Sequence, residues 1–149
     1  MEKLFYFFFT PDVDIPPEKQ LLDKVTGIYV SEMQGDVWSK PQRVILEDPG
    51  KLALDGREFV QDNVIWFCSV GEEYTGPNLF KADYQDGKWQ NWRYAGDKLN
   101  NEYQVGELHI TADGVELYFH SSRKGGKGGY DIWVSKKLGA EWQNPRMSK

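Results

Sequence analysis

A unit of about fifty residues recurs along this chain, and that recurrence limits the fold more than any other feature does. Ile132-Trp133-Val134-Ser135, followed by Gly139, Trp142 and Pro145, restates landmarks found 104 positions earlier as Ile28-Tyr29-Val30-Ser31, Gly35, Trp38 and Pro41. A middle copy fits between them. Leu79-Phe80-Lys81-Ala82 and Trp89 lie 51 positions after Ile28 and Trp38, and Trp142-Gln143-Asn144 lies 53 after Trp89-Gln90-Asn91. Upstream, Trp66-Phe67-Cys68-Ser69 matches Tyr118-Phe119-His120-Ser121 at 52. Within one copy, residues 108–111 alternate, Ala112-Asp113-Gly114 has the composition of a tight turn, and Glu116–Ser121 and residues 130–135 are aromatic and β-branched runs. Trp142 to Pro145 opens a fourth run. Each copy therefore predicts an antiparallel sheet of four short strands.

The third copy, with Thr111-Ala112-Asp113-Gly114, Leu117-Tyr118-Phe119, Ser121-Ser122-Arg123, Gly128-Gly129-Tyr130-Asp131-Ile132, Trp142 and Pro145, resembles the TolB-type (WD40-like) β-propeller repeat family. That family has a Ser-Pro-Asp-Gly turn before an aromatic strand, a Gly-rich loop and an Asp-Ile strand. Ala112 stands here in place of the usual Pro. The middle copy has Gln61-Asp62-Asn63 at the turn and Asn78 in place of Asp131, and the first copy matches only over residues 28–41. The resemblance implies that Asp131 accepts backbone hydrogen bonds that pin the Gly-rich loop. It also implies a binding role in the cell envelope.

The expected fold is all-β: three antiparallel four-stranded propeller blades in one domain over residues 1–149, at about 4–46, 57–94 and 106–149. Nothing but three residues precedes the run Leu4–Phe9, so the first blade is expected to lack its inner strand. In detail, strands are expected at 28–33, 38–46, 57–61, 64–70, 78–84 and 89–94, with a turn at Asp48-Pro49-Gly50. Residues 11–17 are expected to be irregular, and 18–24 to hold a helical turn. Three wedges cannot encircle an axis, and an open array leaves bare sheet edges and faces. Self-association as a homodimer that completes a six-bladed ring is the expected remedy. Trp38, Trp89 and Trp142, one per copy, are expected to pack between neighbouring sheets.

A net charge of −5 argues against nucleic acid as a partner, whose phosphates favour a basic face. The basic group Arg123, Lys124, Lys127, Lys136 and Lys137 reads as a solvated loop and its flanking strand. One cysteine, Cys68, permits no internal disulfide and reads as a small buried hydrophobe. The N-terminal apolar run is six residues long and lacks a small-residue cleavage site, so it reads as a strand and not a leader. No run is long enough to span a membrane. The absent leader pattern and unpaired Cys68 point to the cytoplasm, whereas the resemblance points to the periplasm; the cytoplasm is the expectation.

Motifs for chemistry are few. Gly125-Gly126-Lys127-Gly128-Gly129 is not a phosphate loop, because Lys127 is followed by Gly128 and a strand where that motif needs Ser or Thr and a helix. His109 and His120 sit on adjacent strands, but two histidines and one cysteine do not cluster as four zinc ligands, and no metal or cofactor is expected. Asp113 and Asp131 have turn and loop roles, and with Asp12, Asp14 and Asp62 they are the carboxylates weighed for acid–base work. Trp66 and Trp92 have no tryptophan equivalent in the third copy, so with His120 and Arg123 they are the candidate ligand-binding residues; no catalytic residue is assigned. The expected function is a non-catalytic binding or interaction module for a protein or carbohydrate. The alternative is a glycan-active hydrolase or lyase with carboxylates at the channel mouth. Two or three acidic side chains at one end with a perturbed pKa favour the enzyme, and an aliphatic and hydroxyl lining favours binding.

Overall fold

The computed structural model describes residues 3–10, 12–20, 25–46, 53–71, 77–100 and 104–149. In chain order these form β1 (Leu4–Phe9), a short helix α1 (Pro17–Gln20), β2 (Gly27–Gln34), β3 (Val37–Trp38), β4 (Gln42–Arg43), β5 (Ala53–Gln61), β6 (Val64–Gly71) and β7 (Asn78–Gln85). They continue as β8 (Lys88–Tyr94), β9 (Val105–Ile110), β10 (Glu116–Ser121), β11 (Asp131–Leu138), β12 (Glu141–Trp142) and β13 (Arg146–Met147). The chain is all-β, and the strands fall into antiparallel sheets. Sheet I runs β1-β2 with β3 and β4 both on β2, sheet II runs β5-β6-β7-β8, and sheet III runs β9-β10-β11 with β12 and β13 both on β11. No helix among the described residues is long and apolar enough to cross a membrane.

The aligned runs of the repeat are the same strand in each sheet: Ile28 to Ser31 lies in β2, Leu79 to Ala82 in β7 and Ile132 to Ser135 in β11. Hydrogen bonds recur with them. The Ser39 amide donates to Glu32 and the Gln143 amide to Lys136, each at 2.8 Å; Val44 donates to Ile28 and Ser148 to Ile132, again at 2.8 Å. Both pairs are 104 positions apart.

The expected strand over residues 38–46 is instead two short pieces, β3 and β4, separated around Pro41. Sheet III breaks in the same way around Pro145, between β12 and β13. Proline offers no N–H to the ladder, so the outer strand parts there. The middle copy has Trp92 at this place and β8 stays continuous, with a register shift opposite Lys81 and Asp83. The helical turn starts at Pro17 and not Glu18, a position where the missing N–H costs nothing. Residues 21–24 and the turn at Asp48-Pro49-Gly50 lie outside the described residues.

Sheet II is the middle layer, and both of its faces are covered. Ile65, Phe67, Phe80, Ala82 and Trp89 pack with Ile28 and Tyr6 of sheet I. On the other face, Trp66, Cys68 and Leu79 pack with Val105, Ile110, Leu117, Phe119 and Trp133 of sheet III. Fully burying one such Phe or Leu stabilises the fold by about 1.5–3 kcal/mol. Two of the three recurrent tryptophans cross between sheets. Trp142 meets Trp66 edge-on at 6.1 Å, and Trp89 meets Tyr6 edge-on at 6.4 Å. Trp38 departs from the expectation: it is 45% exposed and touches Phe5 of its own sheet at 6.0 Å. Sheet I has a neighbour on one side only among the described residues, so its Trp has nothing to cross to. β1 pairs with β2 alone among the described strands.

Candidate functional site

β5 and β9, the first strands of sheets II and III, bulge at the same place in the repeat. Pairing shifts in β5 between Gly56 and Phe59, and in β9 opposite Phe119 and His120. Arg57 (φ 54°) and Glu107 (φ 43°) take left-handed backbone conformations there, 50 positions apart. A bulge re-aims the side chains around it. Arg57 Nε and Glu107 Oε1 consequently meet at 3.7 Å, a half-exposed pair of small energetic weight.

Around this pair lies a cleft of about 530 Å³, walled also by Glu58 of β5, Leu108 and His109 of β9, Tyr118 and His120 of β10 and Ile132 of β11. Gly106 makes the approach possible, since a Cβ there would sit 2.7 Å from Arg57 Nη1 and 2.9 Å from His120 Nε2. His109 lies edge-on to Phe59 at 5.2 Å, and His120 edge-on to Tyr130 at 5.2 Å. Burial lowers the His120 pKa; the Arg57 guanidinium lowers it further while Glu107 opposes. His120 is thus held toward the neutral imidazole, able to accept or donate a hydrogen bond. Burial raises the Glu58 carboxyl above the ordinary glutamate value, and its Oε2 is buried with no hydrogen-bond partner among the described residues. Tyr118 donates its hydroxyl to Glu116 Oε2 at 2.8 Å, which turns its ring into a fixed wall.

Of the four residues singled out from sequence, only His120 stands in this cleft. Trp66 and Trp92 pack with opposite faces of sheet II. Trp66 is buried against Trp142, with Lys81 Nζ 5.2 Å above its ring, and borders a smaller cleft of about 200 Å³ that also holds Asp62. Trp92 stacks on Phe80 at 4.2 Å. Arg123 ties the loop after β10 to the loop before β9: its guanidinium donates to the Leu99 carbonyl and to Ser121 Oγ, and lies over Phe119 at 4.9 Å and Trp133 at 5.4 Å.

The aspartates are also dispersed. Asp131 Oδ2 accepts the Lys127 and Gly128 amides at 2.7 and 3.0 Å, the loop-pinning role the resemblance implies. Asp113 Oδ1 accepts the Val115 amide at 3.1 Å in the turn before β10. Asp12 Oδ1 accepts the Asp14 amide at 2.9 Å. The carboxyl side chains that do line the Arg57–Glu107 cleft, Glu58 and Glu107 itself, are not among the aspartates weighed from sequence. Among the described residues no three His, Cys, Asp or Glu side chains gather to hold a metal ion. Comparison with protein-family models, curated proteins and solved structures finds no match to this chain. The TolB-type resemblance therefore stands on the repeat motifs alone.

Proposed function

We propose that the three sheets are blades of a β-propeller, half of a six-bladed ring, and that the chain is a non-catalytic binding module whose ligand sits in the cleft where sheets II and III meet. The observation that carries this is the convergence of Arg57, Glu58, Glu107, His109 and His120 at two equivalent bulges. Arg57 and Glu107 offset each other's charge. Glu58 and His120 are shifted toward their neutral forms by burial, and Leu108, Tyr118 and Ile132 add apolar wall. Neutral donors and acceptors above an apolar wall suit a neutral ligand rich in hydroxyl or amide groups, such as a carbohydrate or an extended protein segment. Titration with neutral oligosaccharides, followed by heteronuclear NMR, is expected to move the His109 and His120 signals in a saturable way, and Glu58→Ala is expected to abolish the effect. Shifts that avoid both histidines would remove this reading.

A glycan-active hydrolase or lyase is the second reading, favoured by one specific observation. Glu58, with its raised carboxyl pKa, shares the cleft with a second carboxyl side chain, Glu107, and a pair of carboxyl groups flanking one site is what such chemistry uses. New reducing or unsaturated chain ends released from an oligosaccharide by the wild type, and not by Glu58→Gln, would favour it over binding alone.

A further inference from the structure

We infer that a second copy of this chain covers the outward faces of sheets I and III, head to tail, with Trp38 of each copy seated edge-on against Tyr118 of the partner subunit. This rests on the half-ring reading of the three sheets and on no ligand for the cleft.

Strand register identifies the equivalent positions. Tyr6 pairs with Val30, Trp66 with Lys81 and Tyr118 with Val134. Val30, Lys81 and Val134 are spaced by 51 and 53, the spacings of the repeat, so Tyr6, Trp66 and Tyr118 hold one place in their sheets. Each of the first two receives the outer-strand tryptophan of the next sheet: Trp89 on Tyr6 at an interplanar 70°, and Trp142 on Trp66 at 80°. Two halves of a third such contact are left over. Trp38 meets no aromatic ring of another sheet among the described residues, and Tyr118 carries no tryptophan.

The surroundings of Trp38 are those of an uncovered interior, whereas Tyr118 lies on a mixed face beside the Glu116–Lys136 ion pair at 3.1 Å. Phe5 is 55% exposed, whereas its equivalents Ile65 and Leu117 are 0% exposed because the adjoining sheet covers them. Phe5 continues through Phe7 to Tyr29 and Phe9 in a chain of ring contacts at 5.6, 6.1 and 5.6 Å, so this face is one aromatic surface and not scattered residues. Across the molecule, Ile132 and Leu138, on the Tyr118 face of sheet III, are 59% and 68% exposed. The occupant that fits both faces is the chain itself, since sheet I presents toward sheet III of a second copy what sheet II presents toward sheet I. A head-to-tail contact that closes after two copies leaves neither face bare; one that fails to close grows without limit. Tyr118 and Ile132 also wall the cleft beside Arg57, Glu58 and Glu107, so the second copy closes that side of the cleft and leaves open the side formed by β5 and β9.

Sedimentation of the wild-type chain is expected to give twice the chain mass. Trp38→Glu and Tyr118→Glu are each expected to weaken dimerisation roughly 30-fold or more, while near-ultraviolet circular dichroism stays native. Trp38→Phe, which keeps a ring, is expected to remain dimeric. Mixing the two glutamate variants is expected to restore a dimer, because one of the two contacts in a mixed pair then retains both native rings. A monomeric wild type, a dimer that survives either glutamate variant, or a mixture that stays monomeric would overturn the inference. Failure of the oligosaccharide titration leaves these masses unchanged, so the ligand reading and the dimer fail separately, whereas a monomeric wild type removes the half-ring along with the dimer.

Discussion

Asn100 clasps Leu79 from both sides of its peptide unit: its Oδ1 accepts the Leu79 amide at 2.6 Å, and its Nδ2 donates to the Leu79 carbonyl at 3.0 Å. Both residues are fully buried, so a side chain from the loop after β8 does the work of a neighbouring strand at the start of β7. The carbonyl also accepts the Ala95 amide at 3.0 Å, but no other partner is described for the Leu79 N–H. Asn100→Ala would strand that donor away from water and is expected to cost about 1–3 kcal/mol. Urea midpoints at constant slope measure it.

Glu58 ties stability to pH. Burial raises its carboxyl in the fold above the unfolded value, so the folded chain holds that proton more tightly. The stabilisation is complete below the unfolded glutamate value and disappears as pH climbs through the folded one. Glu58→Gln is expected to be more stable than wild type at pH 7 and no more stable below about pH 4. Thermal melts at the two pH values check the sign.

Cys68 is buried beneath sheet III, with its thiol directed at the Val105 carbonyl 3.6 Å away, and burial pushes its pKa up to about 12. The thiolate fraction at pH 8 is then roughly one in ten thousand, and reagent has no path to it. Labelling by iodoacetamide is expected to follow global unfolding, with a rate that rises with urea in step with the unfolded population.

At Gly126, an added Cβ would overlap the Asp131 carboxylate that gathers the Lys127 and Gly128 amides. Gly126→Ala is expected to release both amides to open-loop hydrogen-exchange rates. Global stability is expected to change by less than about 1 kcal/mol, because the loop is exposed.

The repeat made the strand order legible because Ile28, Leu79 and Ile132 start the same hydrogen-bonded strand three times, and alternation plus turn chemistry suffices for such strands. The expected strand over residues 38–46 is overextended because it runs across Pro41, whose missing donor interrupts the ladder. The site was less legible. His120 could be named from its aromatic strand, but Arg57 and Glu107 carry no glycine signal at their left-handed positions, and their meeting depends on two bulges in strands 50 residues apart. Glu58 owes its character to tertiary burial, which spacing does not encode. Trp66 and Trp92 were singled out for being unlike the third copy. That difference reflects how sheet II fills both of its faces.

β1 carries Phe-Tyr-Phe-Phe-Phe with one backbone edge unmatched among the described strands, and it has neither proline nor an inward charge to blunt it. Such an edge accepts any extended chain. In the inferred pair the partner subunit would hide the neighbouring Phe5 face while leaving this backbone edge open, so pairing would slow fibril growth through the face alone. Thioflavin fluorescence is therefore expected to rise faster under agitation in the Trp38→Glu variant than in wild type, whose pairing as inferred above would hide the aromatic face beside the edge.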